Sequence, residues 1–213
     1  MSKRRIILFT RRAEAPDFVA WLREHAAETE VDWAEDLAEL RRAVSGGAER
    51  TRLISYLSGD IVPADVLARL GLEPYNIHPG PPEYPGSHPD SFALYEGARR
   101  FGVTAHVMAE RVDSGPIVCV ERFQIPEGVG RLEFGDVVVE HASRVFARVA
   151  LFCAAQDAPI ARVTAKWSQR KRTKKEFAAL CREPLGATDA EVRRRKRACG
   201  PSWTGEMATG AYA

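Results

Sequence analysis

The sequence predicts an α/β fold, an open and mostly parallel sheet flanked by helices with a short C-terminal appendage, on three observations. Short apolar runs, Ile6–Phe9 and Leu53–Leu57 above all, have the continuous hydrophobic character of strands buried on both faces. Segments with apolar residues at helical spacing alternate with them, as in a sheet built from crossovers. The length of 213 residues suits one core, assigned to residues 1–160, with residues 161–213 as the appendage.

Taken in order, Ile6-Ile-Leu-Phe9 is the first strand. Asp17 is placed to cap a helix whose apolar side carries Phe18, Val19 and Leu22. Trp33 to Val44 repeats the helical spacing through Leu37, Leu40 and Val44, and Gly46-Gly47 ends it. Leu53–Leu57 is the second strand, and Pro63 sits near the start of a helix over Ala64–Leu70. Tyr75-Asn-Ile-His78 is a brief strand running into Pro79-Gly-Pro-Pro-Glu-Tyr-Pro-Gly86, whose prolines and glycines exclude regular structure. Ser91–Arg100 reads as a helix. Gly102–Glu110 reads as a half-buried strand, because Val103, Ala105, Val107 and Ala109 alternate with more polar neighbours. Asp113-Ser-Gly-Pro116 is a turn, Ile117–Ile125 a strand, and Leu132–Ala155 a long helix.

Composition narrows the function classes. A net charge of +2 is too small to imply a polyanionic partner for the whole molecule, although basic clusters gather in the last third. Cys119, Cys153, Cys181 and Cys199 have no CxxC spacing and no nearby histidine, so no metal site is expected and reduced thiols are the default. The apolar run after the basic start is too short for a signal peptide. No stretch approaches the roughly 20 apolar residues of a membrane span. The expectation is a cytoplasmic protein with no membrane partner.

In open α/β sheets ligands collect beyond the carboxyl ends of strands. Asn76 and His78 stand at such an end, and residues two apart in a strand point to the same face. Asp113 stands in the turn after the next strand. An asparagine amide can donate to a carbonyl oxygen that gains negative charge, and a histidine can take and return a proton near neutral pH. A neighbouring aspartate orients that histidine or positions a water. These parts suit acyl or formyl transfer to an amine, which must lose a proton as it attacks. The bland alternative is a strand-end Asn and His that satisfy loop backbone, with Asp113 a simple turn residue.

Asn76-Ile-His-Pro79, the proline-rich loop, Gly102-Val-Thr104 and Val112-Asp-Ser-Gly-Pro-Ile117 occur here in one register. That succession resembles the folate-dependent formyltransferase family, which includes methionyl-tRNA formyltransferase, glycinamide ribonucleotide transformylase and sugar N-formyltransferases. The resemblance is tightest from Ser55 to Glu127, and the order of elements agrees from Ile6 to Ala155. It implies a Rossmann-like formyltransferase fold, a 10-formyltetrahydrofolate donor and no metal. It implies that Asn76 polarises the formyl carbonyl, that His78 shuttles the proton, and that Asp113 supports His78 or accepts through water. Backbone groups of Gly59, Asp60 and Ile61, and of Arg111 and Val112 beside Asp113, are implied to hold the pterin.

Departures matter as much. Thr10-Arg-Arg-Ala-Glu-Ala-Pro16 replaces the Gly/Ser-rich phosphate loop of the purine-pathway member, so glycinamide ribonucleotide is not the expected acceptor. The tRNA enzyme carries a further β-barrel domain, for which this chain has no space. Tyr84 and His88 are acceptor-side candidates; a packed tyrosine and an ordinary loop histidine are their alternatives. His25, His106 and His141 read as structural.

Lys166–Lys175 is basic with one aromatic, Trp167, and a helix over Thr188–Arg197 carries Arg193-Arg-Arg-Lys-Arg197. Glu176, Glu183, Asp189 and Glu191 interrupt the charge, which favours a solvated face and a strand returning to the sheet over a nucleic-acid surface. The leading expectation is an N-formyltransferase acting on a small-molecule amine, an amino sugar or amino acid derivative. A tRNA-directed enzyme, a formyltetrahydrofolate hydrolase and a catalytically idle folate- or partner-binding protein are the rivals. The sequence leaves the oligomeric state open, a homodimer among the options.

Overall fold

The structure, a computed structural model, describes residues 3–46 and 49–204. Gly47 and residues 205–213 of the appendage lie outside them. Among the described residues one six-stranded sheet forms the centre, from β1 (Arg4–Phe9), β2 (Thr29–Ala34), β3 (Thr51–Tyr56), β4 (Tyr75–His78), β5 (Arg100–Val107) and β6 (Ile117–Gln124). Their order is β2-β1-β3-β4-β5-β6. The first four strands pair in parallel. β5 and β6 then add antiparallel. The α/β expectation holds, and the sheet is mixed.

Alternation along the strands divides the core in two. Ile6, Leu8, Ile54, Tyr56 and Ile77 face α1 (Ala15–His25) and α5 (Arg131–Ala155), where Leu22, Phe134, Val145 and Phe146 meet them. Ile7, Phe9 and Leu53 face α2 (Leu37–Ser45) and α3 (Ala64–Leu67) through Leu40, Val44 and Val66. Arg52 is only 1 % exposed within β3. Its guanidinium donates to the carbonyls of Glu73, Asp157 and Ala158, which offsets the cost of taking that charge out of water.

Several boundaries differ from the sequence expectation. The helix expected over Trp33–Val44 begins at Leu37, where the Asp36 side chain accepts from the Glu39 N–H. Trp33 and Ala34 instead close β2, an edge strand whose Glu30 and Asp32 break up its apolar pattern. Asp17 lies in the first turn of α1 rather than at its cap, because Pro16 fits the opening positions. α3 is a single turn that stops at Leu67. The helix expected over Ser91–Arg100 is α4, Pro89–Glu96, ended by Gly97 in the left-handed region; Arg100 already opens β5. β5 is buried on both faces, not half-buried, since the proline loop covers the face away from α5 and Thr104 Oγ1 donates to the Gly80 carbonyl.

In place of a returning strand, residues 161–173 form an irregular strap joined to Gly86 by one isolated bridge at Arg172. Two helices follow, α6 (Lys174–Leu180), not expected from the sequence, and α7 (Asp189–Cys199), capped by the Thr188 side chain. Phe177, Leu180, Cys181 and Cys199 bury themselves with Phe92 of α4. The four cysteines are free thiols. Among the described residues no helix is long and apolar enough to cross a membrane.

Candidate active site

The parallel strands β3 and β4 end beside the antiparallel β5, and a cavity of about 550 Å³ opens there. Asn76, Ile77 and His78 of β4 all border it, and Ile77 also belongs to the main core. Period-two alternation alone puts the two polar side chains on the cavity side. Two residues after His78 comes Gly80, where a Cβ would lie 2.7 Å from His78 Nε2 and 2.6 Å from Pro89 Cβ. Only glycine lets the loop close so tightly on the imidazole.

Among the described residues three non-glycine residues have positive φ: Leu57 (49°), His88 (53°) and Asp113 (45°). All three line this cavity. Such conformations cost on the order of 1–3 kcal/mol and persist where the surroundings over-determine them, which is usual at functional sites. In Asp113 the turn brings the carboxylate back between two strands. Gly86 N–H donates to its Oδ2 at 2.7 Å. His78 Nδ1 lies 3.4 Å from Oδ2, and His106 Nε2 lies 3.4 Å from Oδ1.

The hydrogen-bond pattern sets the tautomers. His78 Nε2–H donates to the Tyr84 carbonyl at 2.9 Å, so its Nδ1, facing Asp113, is the nitrogen left to take a proton. His106 Nδ1–H donates to the Val107 carbonyl at 2.9 Å. Its Nε2 accepts from Asn76 Nδ2 at 3.1 Å. One amide N–H of Asn76 is thereby engaged, and the second remains for a ligand oxygen. Burial lowers the pKa of His78; Asp113 and the Tyr84 carbonyl push the other way without overcoming it. Burial pushes the Asp113 carboxyl up, but His78, His106 and the Gly86 N–H outweigh it and hold it at about 2. At rest the site holds an anionic Asp113 carboxylate beside a His78 ring that burial keeps neutral.

The remaining residues singled out in the sequence divide clearly. Gly59, Asp60, Ile61, Arg111 and Val112 line the same cavity, as does His88. The Tyr84 side chain does not; its ring packs against Phe101, and burial together with Glu96 pushes its hydroxyl pKa well up. The His88 ring stacks on Phe177 with centroids 3.6 Å apart, and its Nδ1 accepts from Arg131 at 3.1 Å. Arg131 also pairs with Asp90 at 3.3 Å, and Lys174 joins them on the lining. Sequence reasoning missed His106 and this Arg131 group. His106 faces Asn76 across the β4–β5 register, which depends on a pairing that spacing alone does not disclose. Among the described residues no cluster of three or more His, Cys, Asp or Glu is arranged to hold a metal.

The family model for formyl transferase matches residues 13–150, more than half of the chain. The chain belongs to the formyltransferase family. Its fold is also that of solved formyltransferases. A sugar N-formyltransferase from Shewanella sp. superposes with a TM-score of 0.73 at 17% identity, over 92% of this chain and 87% of that one. An N-formyltransferase from Helicobacter canadensis, in complex with folinic acid and dTDP-3-aminofucose, gives a TM-score of 0.68 at 13% identity, over 98% and 85%. HypX from Aquifex aeolicus in complex with tetrahydrofolic acid gives 0.64 at 21% identity; 96% of this chain matches 35% of that larger one.

Proposed function

We propose that this formyltransferase moves a formyl group from 10-formyltetrahydrofolate to the amine of a small-molecule acceptor, an amino sugar or an amino acid derivative. The observation that carries the reading is the joined set Asn76–His106–Asp113–His78 on one wall of the cavity, with family membership beside it. The folate donor supplies an activated one-carbon group. Ile61, 62% exposed, and Val112 both line the cavity, and these apolar side chains suit a flat ring. In this reading backbone groups of Gly59–Ile61 and Arg111–Val112, which line the cavity, hold that ring's polar edge.

Within this reading Asn76 directs its second amide N–H at the formyl oxygen and stabilises charge as it grows there. His78 accepts the amine proton on Nδ1, and the Asp113 carboxylate stabilises the imidazolium that results. The same proton then leaves with the departing nitrogen. His106 holds the Asn76 amide in position. Arg131, His88, Asp90 and Lys174 form the acceptor side of the cavity. The test is incubation with 10-formyltetrahydrofolate and a panel of amino sugars and amino acid derivatives, following tetrahydrofolate release and the mass of the product. Absence of both release and folate binding would reject the reading.

A further inference from the structure

Residues 161–173 carry no regular structure, yet the strap they form is tied along its length. Val163 N–H donates to the Ile117 carbonyl at 2.9 Å, Ser168 N–H to Pro82 at 2.8 Å, and Arg172 N–H to Pro85 at 2.9 Å. Ser87 N–H returns a bond to Arg172 at 2.9 Å, and the Lys171 ammonium donates to the Val112 carbonyl. Gly86 has φ +97°, and a Cβ there would meet the Arg172 carbonyl at 2.1 Å, so the strap lies directly on the loop that supplies an N–H to Asp113. It therefore runs from the start of β6, past the Asp113 turn, to the proline loop.

Trp167 stands midway. Its Nε1–H donates to the Gly115 carbonyl at 2.9 Å, within the Asp113 turn. Its ring meets His78 with centroids 5.6 Å apart at 74°, and His106 at 5.1 Å and 89°. Both are edge-to-face contacts, which fix relative ring orientation as well as excluding water. Trp167 is not part of the cavity lining, while both imidazoles it touches are. The His78 and Asp113 side chains are 4% and 3% exposed despite bordering an open cavity. The indole packs its ring against both imidazoles and is bonded to the turn that carries Asp113.

We infer that Trp167 is a positioning residue of this site: it seals the back of the His78–Asp113–His106 cluster against water and holds both imidazole planes. The catalytic consequence rests on the proposed formyl transfer; the sealing does not. Charged and titratable groups around His78 are Asp113 on the turn and His106 on β5. On the strap, Lys171 is held by the Val112 carbonyl and Arg172 by Glu96, so neither is free to move toward the histidine. A dry site keeps the Nδ1–carboxylate attraction strong, and a fixed ring keeps Nδ1 in line for its proton.

The test compares Trp167→Ala, Trp167→Leu and Trp167→Phe in the full chain. Imidazole nitrogen resonances of His78 and His106 are titrated by NMR, thermal unfolding checks the fold, and kcat is separated from KM. Opening the back relieves burial, so His78 should titrate at higher pH in Trp167→Ala. Misplaced imidazoles should lower kcat by about 10- to 100-fold, with the KM for folate changing far less. Trp167→Phe, which restores an aromatic edge without the Gly115 bond, should recover most of both. A folded Trp167→Ala with unchanged histidine titrations and native kcat would overturn the inference, as would a Phe variant no better than Leu. Should the Ala variant not fold, Trp167→Leu is judged by the same readouts. If the native protein transfers no formyl group, the proposed function fails, and the titrations still decide the sealing.

Discussion

Asp113 occupies a backbone conformation that few non-glycine residues adopt, and its carboxylate is the point where a loop N–H and two histidines converge. As pH falls, His78 protonates first, below the usual histidine range because burial disfavours its charge. Its charge then keeps Asp113 ionised down to about 2. Replacing Asp113 by Asn removes the group that raises the His78 pKa, so His78 should titrate at still lower pH in Asp113→Asn, as NMR of the ring nitrogens would show. A rise instead would mean that Asp113 does not face His78 as described. Stability follows with a definite sign. Unfolded His78 binds its proton near pH 6.5 and folded His78 only lower, so stability is lost as pH falls through that window. Asp113 adds a second loss between 3.8 and about 2. For the Asn76 amide the expected effect is on turnover: Asn76→Ala should reduce kcat by roughly two to three orders of magnitude while folate affinity changes little. Equal turnover in that variant and the native protein, measured by tetrahydrofolate release, would remove Asn76 from the mechanism.

At the scale of elements, the site depends on a four-residue strand followed by a loop without regular structure. β4 presents Asn76 and His78, and the loop folds back so that the Tyr84 carbonyl takes the proton of His78 Nε2. Gly80→Ala should therefore damage both fold and function. Its Cβ would press on the imidazole and on Pro89, the first residue of α4, and overpacking of this kind costs about 1–3 kcal/mol. A melting temperature equal to that of the native protein, with native kcat, would contradict the packing. α7 bears on partner choice. Arg194 and Arg195 pair with Glu191 and lie over the Tyr95 ring, so much of the basic run is already engaged within the fold. A phosphate platform needs free cations and loses affinity steeply with salt. Charge neutralisation at Arg193, an exposed member of the run, should leave formylation of a small acceptor nearly intact, and tRNA retention should vanish near physiological salt. Salt-steep binding and formylation of a charged tRNA would argue for the tRNA-directed alternative.

For the molecule as a whole, the segment after residue 160 is packed into the rest at several points. Ala198 belongs to the main core, and Phe177, Leu180, Cys181 and Cys199 share a cluster with Phe92 of α4. Arg195 reaches the carbonyls of Leu180 and Arg182, and Arg197 that of Val129. Cutting the chain after residue 160 would expose this apolar surface and free the loop that orients Asp113. The truncated chain should aggregate or unfold at markedly lower temperature, as light scattering and calorimetry would report. A monomeric truncated chain that melts like the native protein would show that the core stands alone.

The local rules of chain geometry were enough for part of this. A four-residue apolar-polar alternation put Asn76 and His78 on one face, two runs of branched residues marked the central strands, and coupled motifs from Asn76 to Ile117 pointed to the formyltransferase family. β2 escaped because an edge strand with alternating charges carries little apolar signal, and its tryptophan suits helical spacing equally well. What the tertiary structure decided are contacts between residues distant in the chain. His106 joined the site through antiparallel register with β4, and Trp167 through a strap that crosses the Asp113 turn. Neither follows from spacing, because each depends on how separate elements pack rather than on where a side chain points along its own.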